Sequence, residues 1–207
     1  METDCIILSK QPYRESALLV RAVSPDCGRV DLVAHGAQSV SERKFPVVDL
    51  FQELSIEYTM QENSQLGTLT QAEIKEDFSA IAEQPKHLLF AGRIAQFLLD
   101  NTQPDLPLPL TFDTLSNVLS HLAGREAEPW SMTQCAVLFK AAFLYENGLL
   151  PEIEGKQGEF LEQLIDAGIG NETLPPCNPG YWGSLNRWLD GLIAYHQLKR
   201  RDREDAK

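Results

Sequence analysis

The hydrophobic period of this chain changes once, near Phe78, and that change limits its fold more than any other feature. Before Phe78, short runs rich in Val, Ile, Leu, Thr and Tyr alternate apolar and polar residues; after it, apolar residues recur every three or four positions. Alternation at period 2 builds strands with one buried face, and repetition near 3.6 builds amphipathic helices. The expectation is an α+β chain: a five-stranded β-barrel over residues 1–75, then an all-α helical bundle over residues 78–207. At 207 residues the chain has room for two such units, and area scaling lets it bury roughly 70% of the surface its unfolded form exposes.

Five runs carry the strand signature: Asp4 to Leu8, Ser16 to Ser24, Gly28 to His35, Phe51 to Met60 and Leu66 to Glu73. Pro25-Asp26-Cys27-Gly28 supplies the residues a tight turn requires, so the second and third runs should form a hairpin. In the third run Val30, Leu32 and Ala34 face one way, while Arg29, Asp31, Val33 and His35 face the other. A long connection, Gly36 to Asp49, carries Ser39, Ser41, Glu42, Arg43, Lys44 and Pro46, and Glu62-Asn63-Ser64 marks a second hairpin turn. Five short antiparallel strands with one long loop fit an oligonucleotide-binding (OB) type of Greek-key barrel, and an SH3-like barrel satisfies the same pattern.

The helical half reads as five segments. Leu88 to Leu99 form an apolar stripe bounded by Pro85 and by Asn101 with Pro104, and Phe112, Leu115, Val118, Leu119 and Leu122 form a second. Ser131 with Gln134 is a capping-box signature for a third helix, with Met132, Cys135, Ala136, Phe139, Ala142 and Phe143 on its apolar face and Gly148 as its stop. Phe160, Leu161, Leu164 and Ile165 make a short fourth helix ending near Gly168. A turn-rich stretch from Gly170 to Gly183 precedes a last helix, capped by Ser184 and ending in Lys199, Arg200, Arg201 and Arg203.

Net charge is −12, which opposes non-specific attraction to nucleic acid or to an anionic membrane. Neither half is basic: 7 basic residues face 11 acidic ones up to Lys75, and 11 face 19 after it. Any nucleic-acid site must therefore be a local patch, and screening over roughly 8 to 10 Å leaves such a patch largely independent of remote carboxylates. Cys5, Cys27, Cys135 and Cys177 are scattered, so neither a disulfide framework nor a zinc ribbon is expected. The N-terminus lacks a basic, apolar leader and no apolar run approaches the 18 or so residues that span a bilayer, so a cytoplasmic protein with no membrane segment is expected.

Motifs for catalysis are missing. There is no Gly-x-Ser-x-Gly, no phosphate-binding loop ending in Gly-Lys-Ser/Thr, no His-Glu-x-x-His and no Gly-x-Gly-x-x-Gly. His35, His87, His121 and His196 stand apart in sequence and read as structural. No catalytic residue, cofactor or metal is assigned, and the chain is not expected to be an enzyme. The residues that could hold a polyanion are Arg14 in the first interstrand loop, Arg43 and Lys44 in the long loop, and Arg21 and Arg29 on or beside strands, with Tyr13 or Phe45 as stacking planes.

Three stretches of the first 75 residues resemble the bacterial RecO family of DNA repair and recombination mediators. They are Leu8 to Val20 (LSKQPYRESALLV), Cys27 to Ala37 (CGRVDLVAHGA) and Leu66 to Glu73 (LGTLTQAE). Downstream, Phe139 to Pro151 and the Tyr195-His196 pair are similar to that family's central and last helices. The resemblance implies an OB-type barrel followed by a helical domain. It also implies single-stranded DNA binding, strand annealing and recombinase loading, with RecR and the C-terminal tail of single-strand-binding protein as partners, and no catalytic residues.

Two departures from the family pattern stand out. Where members carry a basic run after the Gly-Ala, this chain has His35, Gln38, Ser39, Val40, Ser41 and Glu42, retaining Arg43 and Lys44. The four-cysteine zinc site that many members carry after the central helix is absent here, since Pro151 leads into Glu152-Ile153-Glu154-Gly155. Arg43 and Lys44 lead the candidate DNA-contacting set, followed by Arg14, Arg21 and Arg29. The competing expectation is a RecO-derived protein–protein interaction module that has lost DNA binding. In either case the helical half offers Phe139, Phe143, Tyr145 and Trp188, near Lys140 and Arg187, to an acidic peptide with an apolar end.

Overall fold

A computed structural model describes residues 1–14, 16–37, 48–60 and 64–199. Two compact units are present, the first Met1–Pro107 and the second beginning at Leu108.

The first unit is built on five strands: β1 (Glu2–Tyr13), β2 (Ala17–Ser24), β3 (Gly28–Ala34), β4 (Gln52–Met60) and β5 (Gly67–Asp77). They close into a barrel in the order β1-β2-β3-β5-β4, with β1 completing the circuit by pairing with β4. A simple meander would put β4 beside β3. Here β5 takes that place, parallel to β3 and paired through Leu32↔Gly67 and Val33↔Thr68. This Greek-key order is the OB type and replaces the SH3-like alternative. Alternation fills the interior with Cys5, Ile7, Val20, Ala22, Val30, Leu32, Leu54, Ile56 and Leu69, all nearly or fully buried.

β1 and β5 run beyond the lengths their apolar runs suggest. In β1 the register shifts between Ile7 and Ser9, and such a bulge bends one strand enough to serve two neighbours. Its first half pairs with β4 (Glu2↔Glu57 to Ile6↔Glu53) and its second half with β2 as far as Tyr13↔Ala17.

The β2–β3 turn depends on Gly28, whose φ is +64°. A side chain there would also strike the carbonyl oxygens of Gln103 and Leu106. Those carbonyls belong to the segment that follows α1 (Pro85–Asn101). The helix starts with Pro85 at its first turn, where a missing N–H costs nothing, and buries Ala91, Ile94, Ala95 and Leu98. After it the chain turns back onto the barrel: the Arg29 amide donates to the Gln103 carbonyl at 3.1 Å and the Asp105 amide to that of Cys27 at 2.8 Å. The strand-to-helix switch falls at Phe78, as the period change predicts, whereas the compact unit continues to Pro107.

The second unit holds α2 (Pro109–Leu122), α3 (Met132–Glu146), α4 (Lys156–Gly168) and α5 (Pro179–Tyr195). The Ser131–Gln134 capping box forms in both directions, and Gly148 follows α3 with φ +66°. α3 departs from its expected one-sided stripe: nine residues from Cys135 to Leu144 are buried, Val137, Leu138 and Ala141 among them, while Met132 is exposed. It packs against α2, α4 and α5 at once, and a helix surrounded by three others has little polar face to show. α5 starts earlier than Ser184. Asn178 accepts the Gly180 amide and Pro179 occupies the first turn, so Asn-Pro is the start signal inside a stretch that reads as loop. The helix stops at Tyr195, so Lys199 lies beyond its end, and Arg200, Arg201 and Arg203 fall outside the described residues. Among the described residues no helix is long and apolar enough to cross a membrane.

Candidate nucleic-acid interface

Burial of Val30, Leu32 and Ala34 inside the barrel obliges their neighbours on β3 to face outward, as the alternation predicts. Register then sets Asp31 directly across from Arg21 on β2, with Arg29 two residues away on the same face. Arg21 Nε lies 4.0 Å from Asp31 Oδ2, and Arg29 Nε lies 3.5 Å from Asp31 Oδ1. The two guanidiniums therefore share one carboxylate. Arg29 is also anchored elsewhere, since its Nη1 donates to the Leu99 carbonyl at 3.3 Å, within the last turn of α1. A cation there is favoured by the helix dipole and by otherwise unpaired carbonyls. Arg21 is the more available of the pair, with 42% of its side chain exposed.

Arg14 occupies the β1–β2 turn with φ +55°. Its guanidinium lies 5.2 Å from the centre of the Tyr13 ring, a cation–π contact. Tyr13 in turn packs on a small outward cluster of Ala17, Leu19 and Val33. Arg14 therefore marks one end of the β2–β3 ladder and Arg29 the other, about 20 Å apart at the usual strand rise, with Arg21 between them. Arg43 and Lys44, with Phe45, lie outside the described residues.

The opposite side of the barrel has the reverse charge. On β4, burial of Leu54, Ile56 and Tyr58 turns Ser55 and Glu57 outward. Glu57 pairs directly with Glu2 of β1, and Ser55 pairs with Asp4 on one side and Glu73 on the other. Lys75 answers part of this charge, 2.7 Å from Asp4 and 3.8 Å from Glu53. Like charges facing each other across a ladder are unfavourable and would repel a polyanion. The β2–β3 face and the β1–β2 turn form the face of the barrel that gathers arginines.

Several other groups singled out in the sequence have structural partners. His121 Nδ1 accepts the Trp130 amide and His196 Nε2 meets the Leu149 carbonyl at 2.9 Å. Phe139 and Phe143 are core residues, 3% and 1% exposed. Lys140 binds Asp190 at 2.6 Å and Asn186 at 2.8 Å, whereas Tyr145 remains exposed. Cys5 and Cys135 are buried free thiols whose pKa values burial pushes up, that of Cys135 to about 12, so both are poor nucleophiles. What the sequence reading missed was Asp31 as the shared partner of Arg21 and Arg29. The signal was present: the Pro25–Gly28 turn fixes the hairpin register, and that register puts position 31 opposite position 21.

Residues 1–78 match the family model described as Recombination protein O N terminal. The chain is similar to the DNA repair protein RecO of Listeria monocytogenes serotype 4b (strain CLIP80459), 28% identical over 149 residues, covering 72% of this chain and 56% of that protein. The DNA repair protein RecO of Bacillus pumilus (strain SAFR-032) is 25% identical over 178 residues, covering 82% and 66%. That of Xanthomonas campestris pv. campestris (strain B100) is 32% identical over 133 residues, covering 62% and 52%. The matched stretch thus spans little more than half the length of the Listeria and Xanthomonas relatives. The residues that match the N-terminal family model are those that build the Greek-key barrel, and the chain is similar over most of its length to DNA repair RecO proteins.

Proposed function

We propose that this chain is a RecO-like, non-enzymatic mediator of recombinational DNA repair that binds single-stranded DNA along β2, β3 and the β1–β2 turn, and partner proteins elsewhere. One observation carries the reading: Arg14, Arg21 and Arg29 lie on the face and loop by which OB-type barrels take oligonucleotides, while the β1–β4–β5 face is acidic. The arginines track phosphates, and Arg43 and Lys44 in the β3–β4 connection add to them. A site of this kind acts by holding and apposing strands, so it requires no nucleophile and no metal. Partners of the kind the family resemblance implies, RecR and the tail of single-strand-binding protein, fit this role.

A second reading is favoured by a separate observation. Arg21 and Arg29 already share Asp31 and the chain carries −12, as a protein–protein interaction module that had lost DNA binding would. Fluorescence anisotropy with a labelled single-stranded oligonucleotide at low and moderate salt separates the two. A phosphate-tracking site gives binding whose logarithm falls linearly with the logarithm of salt, by about 0.7 per phosphate contact. No binding at low salt leaves the interaction module.

A further inference from the structure

We propose that Asp31 is a built-in competitor for nucleic-acid phosphate, a carboxylate that DNA must displace from Arg21 before the β2–β3 face can bind. The inference rests on the reading of that face as a single-strand site and adds a specific brake to it. Its basis is the geometry of the Arg21–Asp31–Arg29 cluster. Charge-assisted N–H···O⁻ bonds are about 2.7–2.9 Å long, yet the contacts here are 4.0 and 3.5 Å. Arg29 Nε and Asp31 Oδ1 are both buried, and neither has a hydrogen-bond partner among the described residues. The carboxylate compensates charge without offering either guanidinium its fork geometry.

The backbone explains why this arrangement cannot tighten. Asp31 is a short side chain in the middle of β3, with Arg21 fixed opposite it by register, and Arg29 is drawn toward the Leu99 carbonyl. The aspartate can approach neither cation more closely without leaving the other. A phosphate comes from the solvent side, unconstrained by the ladder, and presents oxygens that a guanidinium can bind bidentately. Arg21, the most exposed member of the cluster, is the group it can recruit. Arg29 stays behind, held by the end of α1, and remains with Asp31. Displacement thus replaces a loose ion pair by a well-formed one, and the net gain is smaller than an unencumbered arginine would give.

The test uses the full chain and anisotropy of a labelled oligothymidylate across a salt series. Asp31→Asn should tighten binding roughly three- to tenfold at low salt and leave the salt dependence nearly unchanged, because Arg21 contacts the same phosphate in both proteins. Glu73→Gln, which removes one negative charge from the acidic face, should change affinity less than about twofold because Glu73 pairs with Ser55 of β4 and lies off the β2–β3 ladder. Adding Arg21→Ala to Asp31→Asn should abolish the gain. If near-ultraviolet circular dichroism shows that Asp31→Asn disturbs the barrel, Asp31→Thr, a residue well suited to strands, takes its place. The brake is overturned if the wild type binds and the Asp31 variant gains no more than Glu73→Gln, or if the gain survives the loss of Arg21. Failure of both wild type and Asp31→Asn to bind at low salt overturns the brake together with the single-strand reading.

Discussion

The imidazole of His121 lies flat against the indole of Trp130, ring centres 3.7 Å apart and planes 16° from parallel, while its Nδ1 accepts the Trp130 amide at 3.0 Å. An accepting Nδ1 carries no proton, so this contact exists only with a neutral ring. Partial burial lowers the His121 pKa below its ordinary 6.5, with the nearby Glu126 carboxylate opposing that shift. Above pH 6.5 both folded and unfolded chains hold the ring neutral and the contact contributes fully. As pH falls below 6.5 the unfolded chain takes up a proton that the folded one resists, and stability drops until the lowered folded pKa is passed. The expected result is a pH-dependent loss that is absent from His121→Gln, with a slope below the limit of about 1.4 kcal/mol per pH unit for one proton. Urea unfolding of both proteins between pH 8 and 5 checks it; parallel curves would contradict it.

Gly28 combines a left-handed backbone with the close approach of two carbonyl oxygens. Replacement by Ala should therefore cost about 2–4 kcal/mol, well beyond the roughly 1 kcal/mol of backbone strain alone, because the segment after α1 must also move. Chemical denaturation monitored by circular dichroism measures the loss. A cost under about 1 kcal/mol would mean that this segment is free to yield.

The first turn of α2 takes its cap from a distant residue: the Leu110 and Thr111 amides donate to the two carboxylate oxygens of Glu146 at 2.8 and 2.9 Å. Glu146→Ala removes both acceptors and the favourable charge at a helix N-terminus, for a loss of about 1–2 kcal/mol. Glu146→Gln keeps one acceptor and should fall between Ala and wild type. Equal stability of all three proteins would show that water replaces the cap without loss.

For the barrel loop, the double change Arg43→Ala with Lys44→Ala should flatten the salt dependence of oligonucleotide binding by about 1.4, or 0.7 for each phosphate contact removed. Circular dichroism should be unchanged. An unaltered slope would assign binding to Arg14 and Arg21 without help from the β3–β4 connection.

Where local chemistry decides the outcome, the sequence was a good guide. The period change at Phe78, the Pro25–Gly28 turn, the capping box at Ser131 and the stop at Gly148 all appear where residue type alone puts them. Features that depend on distant neighbours were harder to read. The bulge after Ile7 exists because β1 must pair on both sides, α3 is buried because three helices surround it, and α1 joins the barrel because the residues after it bond to the β2–β3 turn. Asn178-Pro179 was hidden by its surroundings, a helix start embedded in a stretch dense with turn residues. At the candidate interface the arginines were legible as an outward set, but their common tie to Asp31 required the register.

Closing the barrel has a kinetic consequence. The β1–β2–β3 meander and the β4–β5 hairpin are made of neighbours in sequence, whereas β1 meets β4 only across two strands and the whole connection from Gly36 to Asp49. Pairing Glu2 with Glu57 is thus a non-local contact, the kind that slows folding. Yet the entropy of such a closure grows only logarithmically with the chain enclosed, by roughly 0.6 kcal/mol per doubling. Residues inserted into or removed from that connection should therefore cost the barrel little. The length of the connection that carries Arg43 and Lys44 can therefore change at small entropic cost while the strands keep their order.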